Sequence, residues 1–171
     1  MNKKVLVFTG LNENLYEMFP FITGKQPQEL LILNSFGAEI SHPYGCSMRS
    51  ILLAVNKEEI EEIYVIGEEG SEEYNINQEE LLEKFRIAGV RERTIKTINY
   101  IDVVRNDLLK WLTGHSDARG AVSNSIKMIK RHPLIPLSIP VCGYIVNRAT
   151  GEFYPVMEAE QSIQGRVLKA N

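Results

Sequence analysis

Cysteine is scarce in this sequence: Cys46 and Cys142 are the only two in 171 residues, and neither belongs to a Cys-x-x-Cys pair. Two such residues argue against a disulfide framework. Each is expected to be a buried or half-buried thiol, because free cysteine packs as a small apolar side chain. A large excess of charge is also missing. The net charge is −3, so the overall field favours neither nucleic acid nor an anionic membrane surface. No apolar run reaches the roughly 18 residues of a spanning helix, and no membrane insertion is expected. The apolar stretch Val5-Leu6-Val7-Phe8 is too short for a signal peptide, and Thr9-Gly10-Leu11-Asn12 offers no small-residue cleavage pattern. The expected location is cytoplasmic. Linkers, repeats and low-complexity blocks are absent as well. We expect a single domain over residues 1–157 and a polar tail over 158–171.

What is present suits a compact core. Apolar residues make up 44% and charged residues 24%, as in ordinary globular domains. Residues 5–9, 30–34 and 63–67 are nearly continuous apolar runs, the pattern of parallel strands covered on both faces. Helical spacing occupies the intervals. Residues 14–21 read as a short helix. Residues 48–56 follow with Ser47 as N-cap, and residues 78–88 end at Gly89. Residues 102–112 carry one apolar stripe, 114–120 read as a polar turn, and 122–131 form a helix closed by Pro133. A hairpin signature comes last: 141–146, the turn 147–151, then 152–156. Strand and helix alternation predicts an α/β sheet with helices on both faces.

In such sheets, ligands bind beyond the carboxyl ends of the strands. Three loops stand there: Gly10-Leu11-Asn12-Glu13-Asn14, Ser35-Phe36-Gly37-Ala38 and Glu68-Glu69-Gly70-Ser71. They are expected to converge.

In these loops the chain resembles the β-carbonic anhydrases. That family carries Cys-x-Asp-x-Arg after its first strand, and residues 10–14 fall on that motif. It carries Gly-Asp-Leu…Arg-Asn-Ala-Gly-Asn on and after the second strand, where residues 28–38 fall without a gap. It carries Gly-His-x-x-Cys after the third, where Gly67-Glu68-Glu69-Gly70-Ser71 falls. Residues 50–55 are similar to the family's helix before the third strand. The stretches 122–126, 131–135, 141–146 and 150–152 are similar to its last helix and hairpin. The resemblance spans almost the whole chain and implies the β-carbonic anhydrase-like fold, a central mostly parallel sheet flanked by helices with a C-terminal antiparallel strand. The family is dimeric, with sites near the subunit interface, so a homodimer is implied. Its usual N-terminal arm, which wraps the partner subunit, has no counterpart before the first strand here.

The resemblance also implies what has changed. Family members hold zinc on two thiolates and an imidazole, and the zinc-bound hydroxide attacks CO2. The three ligand positions read Gly10, Glu68 and Ser71, and the Asp-Arg pair reads Asn12 and Asn14. Glycine donates nothing, a serine hydroxyl is a poor zinc ligand, and one carboxylate is not a site. The implied protein is a homologue without catalytic zinc or CO2 hydration, acting as a non-catalytic partner, scaffold or small-molecule binder. Two alternatives stand beside it. Zinc could be held on a rearranged set, His42, Cys46 and Glu68, keeping carbonate dehydratase activity. Otherwise the same crevice could run different chemistry, with Asn12, Asn14, Asn34, Ser35, Gly37 and Cys46 as candidate pocket residues; the blander reading of the Asn and Ser residues is that they satisfy loop backbone. The acidic run Glu68-Glu69, Glu72-Glu73 reads as a solvated loop. His115 is expected in a polar turn, and His132 in a structural role.

Overall fold

The computed structural model describes residues 3–105 and 107–156; the tail 158–171 lies outside them. Five strands form one sheet: β1 (Lys4–Thr9), β2 (Leu30–Asn34), β3 (Ile60–Glu68), β4 (Val141–Asn147) and β5 (Glu152–Pro155). Their order is β2-β1-β3-β4-β5. The first four pair in parallel, and β5 returns antiparallel on β4. A 3-10 turn (Glu13–Met18) and α1 (Phe19–Thr23) connect β1 to β2, and α2 (Cys46–Lys57) connects β2 to β3. The long connection to β4 holds α3 (Gln78–Ile87), α4 (Glu92–Ile98), α5 (Leu108–Thr113) and α6 (Ala118–Arg131). The expected α/β architecture is the observed one.

Period-two alternation along β1 divides the core into two layers. Leu6 and Phe8 pack with Met48, Ile51 and Ala54 of α2 and with Ala121, Val122, Ile126 and Ile129 of α6. Val5 and Val7 face the other way, onto Leu15, Phe19 and Ile22. Two glycines let α6 lie close on the sheet. A Cβ at Gly67 would stand 2.8 Å from Val122 Cγ2, and one at Gly143 would overlap the Ile126 side chain. Ser125 of α6, fully buried, reaches across to the segment after β2. Its hydroxyl donates to the Ala38 carbonyl at 3.0 Å and accepts from the Ile40 N–H at 2.9 Å.

Several local expectations need correction. Ser47 is not a cap: α2 starts at Cys46 and Gly45 precedes it. The turn closes early because the Gly45 N–H already donates to the His42 carbonyl. Cys46 is therefore exposed rather than buried, since α2 turns Met48, Ile51 and Ala54 to the sheet; Cys142 is half-buried as expected. The helix over 14–21 splits into a 3-10 turn and α1. Pro20 fits the first turn of α1, and Gly24 (φ 68) ends it. The stripe over 102–112 breaks at Arg105, which has positive φ, and α5 restarts under an Asp107 cap. Finally, α6 begins at Ala118, because the Asp117 carboxylate accepts the Gly120 N–H at 2.8 Å and nucleates the turn early. No helix among the described residues is long and apolar enough to cross a membrane.

Candidate functional site

The three loops meet at the carboxyl end of the sheet. Parallel pairing of β1 with β2 and β3 brings Thr9 beside Asn34 and Ile66. Side chains then stitch the loops together. Asn34 donates to the Gly10 carbonyl at 2.6 Å, and Asn12 donates to Glu68 at 2.8 Å. The Asn12 side-chain oxygen, Oδ1, accepts from both the backbone and the side-chain nitrogens of Asn14, at 3.2 and 3.0 Å. Ser35 donates to the Glu39 carbonyl at 3.2 Å. Ser71 caps the 3-10 turn Glu72–Tyr74 by accepting the Glu73 N–H at 3.2 Å. Most of these polar groups thus serve loop backbone.

Position 10 has a specific neighbour. The Glu73 carboxylate lies against Gly10, and a Cβ there would stand 2.7 Å from Glu73 Oε1. Glu73 is held by two N–H groups from the other two loops: Leu11, at 3.0 and 3.2 Å to its two oxygens, and Gly37, at 2.5 Å to Oε2. Gly37 itself sits at φ 67, a conformation that glycine adopts at low cost. Its carbonyl accepts from the buried Tyr74 hydroxyl at 3.0 Å. Burial first, and then the Glu73 charge, hold the Tyr74 phenol well above its ordinary ionisation range.

Glu68 is engaged as well. Its side chain is 14% exposed and faces Arg148 of the hairpin turn, with 3.2 Å between Arg148 Nε and Glu68 Oε1. Glu69 accepts from Asn147 at 2.9 Å and from the Tyr154 hydroxyl at 2.7 Å. That second bond raises the Tyr154 pKa. The acidic run is therefore not a plain solvated loop. Glu68, Glu69 and Glu73 each find a donor, because the fold brings N–H groups, Arg148 and the hairpin alongside them. Outside this layer, Glu39 clamps the segment that leads into α6, accepting the His115 N–H at 3.0 Å and meeting His115 Nδ1 at 2.6 Å. His132 is buried between loop and helix, its Nδ1 accepting from the Leu134 N–H at 3.2 Å.

The set His42, Cys46 and Glu68 is not assembled: among the described residues no group of three or more His, Cys, Asp or Glu stands together as metal ligands. His42 Nδ1 instead accepts the Tyr44 N–H at 3.0 Å. A cleft of about 840 Å³ lies beside the crevice, lined by Ser71, Tyr74, Asn77, Asp117, Arg119 and Tyr154 among others. Of the candidate positions only Ser71 lines it; Gly10, Asn12, Asn14, Asn34, Ser35, Gly37, Cys46 and Glu68 do not. Sequence reasoning missed Glu73 as an individual, along with Tyr74 and Arg148. One signal was available: a glycine directly after a buried strand leaves a volume that some other side chain can fill.

No family model matches the chain. Among curated proteins it is similar to "Putative carbonic anhydrase YvdA" of Bacillus subtilis (strain 168), 32% identical over 161 residues, 94% of this chain and 80% of that protein. It is also 32% identical over 151 residues to "Putative carbonic anhydrase YtiB" of the same organism, covering 88% of this chain and 79% of the relative. Among solved structures, the β-carbonic anhydrase isoform I of Trichomonas vaginalis superposes with a TM-score of 0.74 at 20% identity, over 91% of this chain and 83% of that one. The apo form of carbon disulfide hydrolase superposes with a TM-score of 0.70 at 18% identity, over 98% and 88%. At those identities the two structures speak for the fold alone.

Proposed function

The chain belongs to the β-carbonic anhydrase-like family, and from that premise we propose that it is a member without the family's zinc and CO2 hydration, serving as a non-catalytic partner, scaffold or small-molecule binder. The observation that carries this reading is the Glu73 carboxylate standing where a side chain at position 10 would go. The donor set does not fit zinc. Gly10 supplies no atom, the Ser71 hydroxyl is turned to the Glu73 N–H, and Glu68 is committed to Arg148 and Asn12. Zinc sites are built from thiolate, imidazole and carboxylate in sets of three or four. Asn12 and Asn14, bonded to one another, supply neither an acid nor a guanidinium.

We further propose self-association. The solved neighbours include tetrameric β-carbonic anhydrases of Sordaria macrospora, with a TM-score of 0.58 at 16% identity. Strand β2 is an edge whose Leu30, Leu31, Ile32 and Leu33 are only half-buried. Apolar edge strands seek partners. Exposed Phe21 and Phe36 flank it in sequence. The two free cysteines support a cytoplasmic location.

The test is metal analysis of untagged protein together with stopped-flow CO2 hydration. The reading expects substoichiometric zinc and hydration at the uncatalysed rate. Stoichiometric zinc with rapid turnover would overturn it.

A further inference from the structure

Glu73 is held in an unusual way for a surface-loop carboxylate. Its donors are two backbone N–H groups from separate loops, Leu11 after β1 and Gly37 after β2. Converging N–H dipoles of this kind form concavities that select anions. The rest of the receptor is made by missing side chains, since Gly10 leaves the carboxylate its room. The receptor is also fixed independently of Glu73. The Gly37 carbonyl is tied to the Tyr74 hydroxyl, Ser125 holds Ala38 beside it, and Asn34 holds the Gly10 carbonyl.

We propose that the Leu11 and Gly37 N–H groups form a binding site for a small carboxylate, and that Glu73 fills it as a tethered occupant. A free monocarboxylate such as formate presents the same planar pair of oxygens and fits the space left when the Glu73 side chain is cut back. In the native chain the tether supplies an effective concentration on the order of mM or higher, so dilute free carboxylate does not displace it. The inference goes beyond the family reading. It needs no metal, and it holds or fails whether or not the protein hydrates CO2.

The experiment follows the backbone amide resonances of Leu11 and Gly37 in isotope-labelled protein during titration with sodium formate, with sodium chloride at matched ionic strength as control. In Glu73→Ala both resonances are expected to move saturably with formate and not with chloride, while in the native chain they stay put over the same range. Glu73→Gln, which keeps the shape and loses the charge, is expected to respond at higher formate concentration than Glu73→Ala. If Glu73→Ala does not fold, Glu73→Gln decides alone. No formate-specific shift in either folded variant overturns the site, and an equal shift in the native protein overturns the tethered occupant.

Discussion

Glu68 at the end of β3 and Arg148 in the β4–β5 turn are joined across the mouth of the crevice, 3.2 Å apart. The pair ties the hairpin to the loop after β3, beside the Glu69 bonds to Asn147 and Tyr154. Arg148 is about half exposed, so solvent screens much of the attraction. A double-mutant cycle of Glu68→Ala and Arg148→Ala should give a coupling of about 0.5–1 kcal/mol in urea unfolding. The coupling should shrink as salt is added. A coupling of zero would mean that the two side chains meet without stabilising the hairpin.

Gly10 and Glu73 share one volume. Gly10→Ala should dislodge the Glu73 carboxylate and cost about 1–2 kcal/mol through its lost hydrogen bonds. In a Glu73→Ala background the same substitution should cost much less, because the space is then free. Additive effects in urea unfolding would contradict the shared volume.

Gly114 should be intolerant of any side chain. Its φ is 61, and an added Cβ would overlap the Glu39 carboxylate that holds His115. Gly24 has a similar φ of 68 but open space around it. Gly24→Ala should cost about 1 kcal/mol from backbone conformation alone. Gly114→Ala should cost about 1–3 kcal/mol more, from overpacking and from its ψ of −143, which lies near a region almost confined to glycine, whereas Gly24 has ψ 15. Thermal melts of the two variants compare them directly.

Tyr74 should shape the alkaline limb of stability. Its phenol pKa is raised in the folded chain above the ordinary 10.0, first by burial. The unfolded chain therefore releases this proton at lower pH than the folded one. The contribution is complete below pH 10 and is lost as pH rises beyond it. Tyr64, raised by burial and by its bond to Glu62, adds to the same limb. Tyr74→Phe should cost about 1 kcal/mol near neutrality, for the bond to Gly37, and flatten the decline above about pH 10. Urea midpoints measured across that range read both effects.

The two thiols should differ in reactivity. Cys46 is exposed, whereas Cys142 is half-buried and its pKa is raised, first by burial and then by Glu62. A higher pKa leaves less thiolate at mildly alkaline pH, and the thiolate is the reactive form. A disulfide reagent should label Cys46 quickly and Cys142 slowly, and Cys46→Ser should abolish the fast phase. Persistence of the fast phase would show that Cys142 is open to solvent.

The strands were readable because burial on both faces leaves a local mark. The run 30–34 coincides end to end with β2, and the apolar run at 63–67 lies inside β3. The helix starts were less readable. The cap of α6 depends on the Asp117 side chain reaching the Gly120 N–H, and that of α2 on a turn closed through His42. Both are geometric choices among several nearby polar residues. In α3, helical spacing was visible in Leu81, Leu82 and Phe85, yet no residue of that helix is fully buried. Periodicity states which face is apolar, but not whether anything covers it.

The candidate site divides in the same way. The sequence alone determined that positions 10, 68 and 71 offer no thiolate or imidazole, and that they stand just beyond the apolar runs 5–9 and 63–67. Residue identity is enough for that, because ligand chemistry belongs to the side chain. Only the tertiary structure decided that Glu73, and not its neighbour Glu72, would turn inward to Leu11 and Gly37, and that Arg148 would face Glu68. In the sequence, Glu72 and Glu73 are two equal carboxylates. They become different only when parallel pairing of β1 with β2 and β3 sets two N–H groups and one missing side chain around a single point.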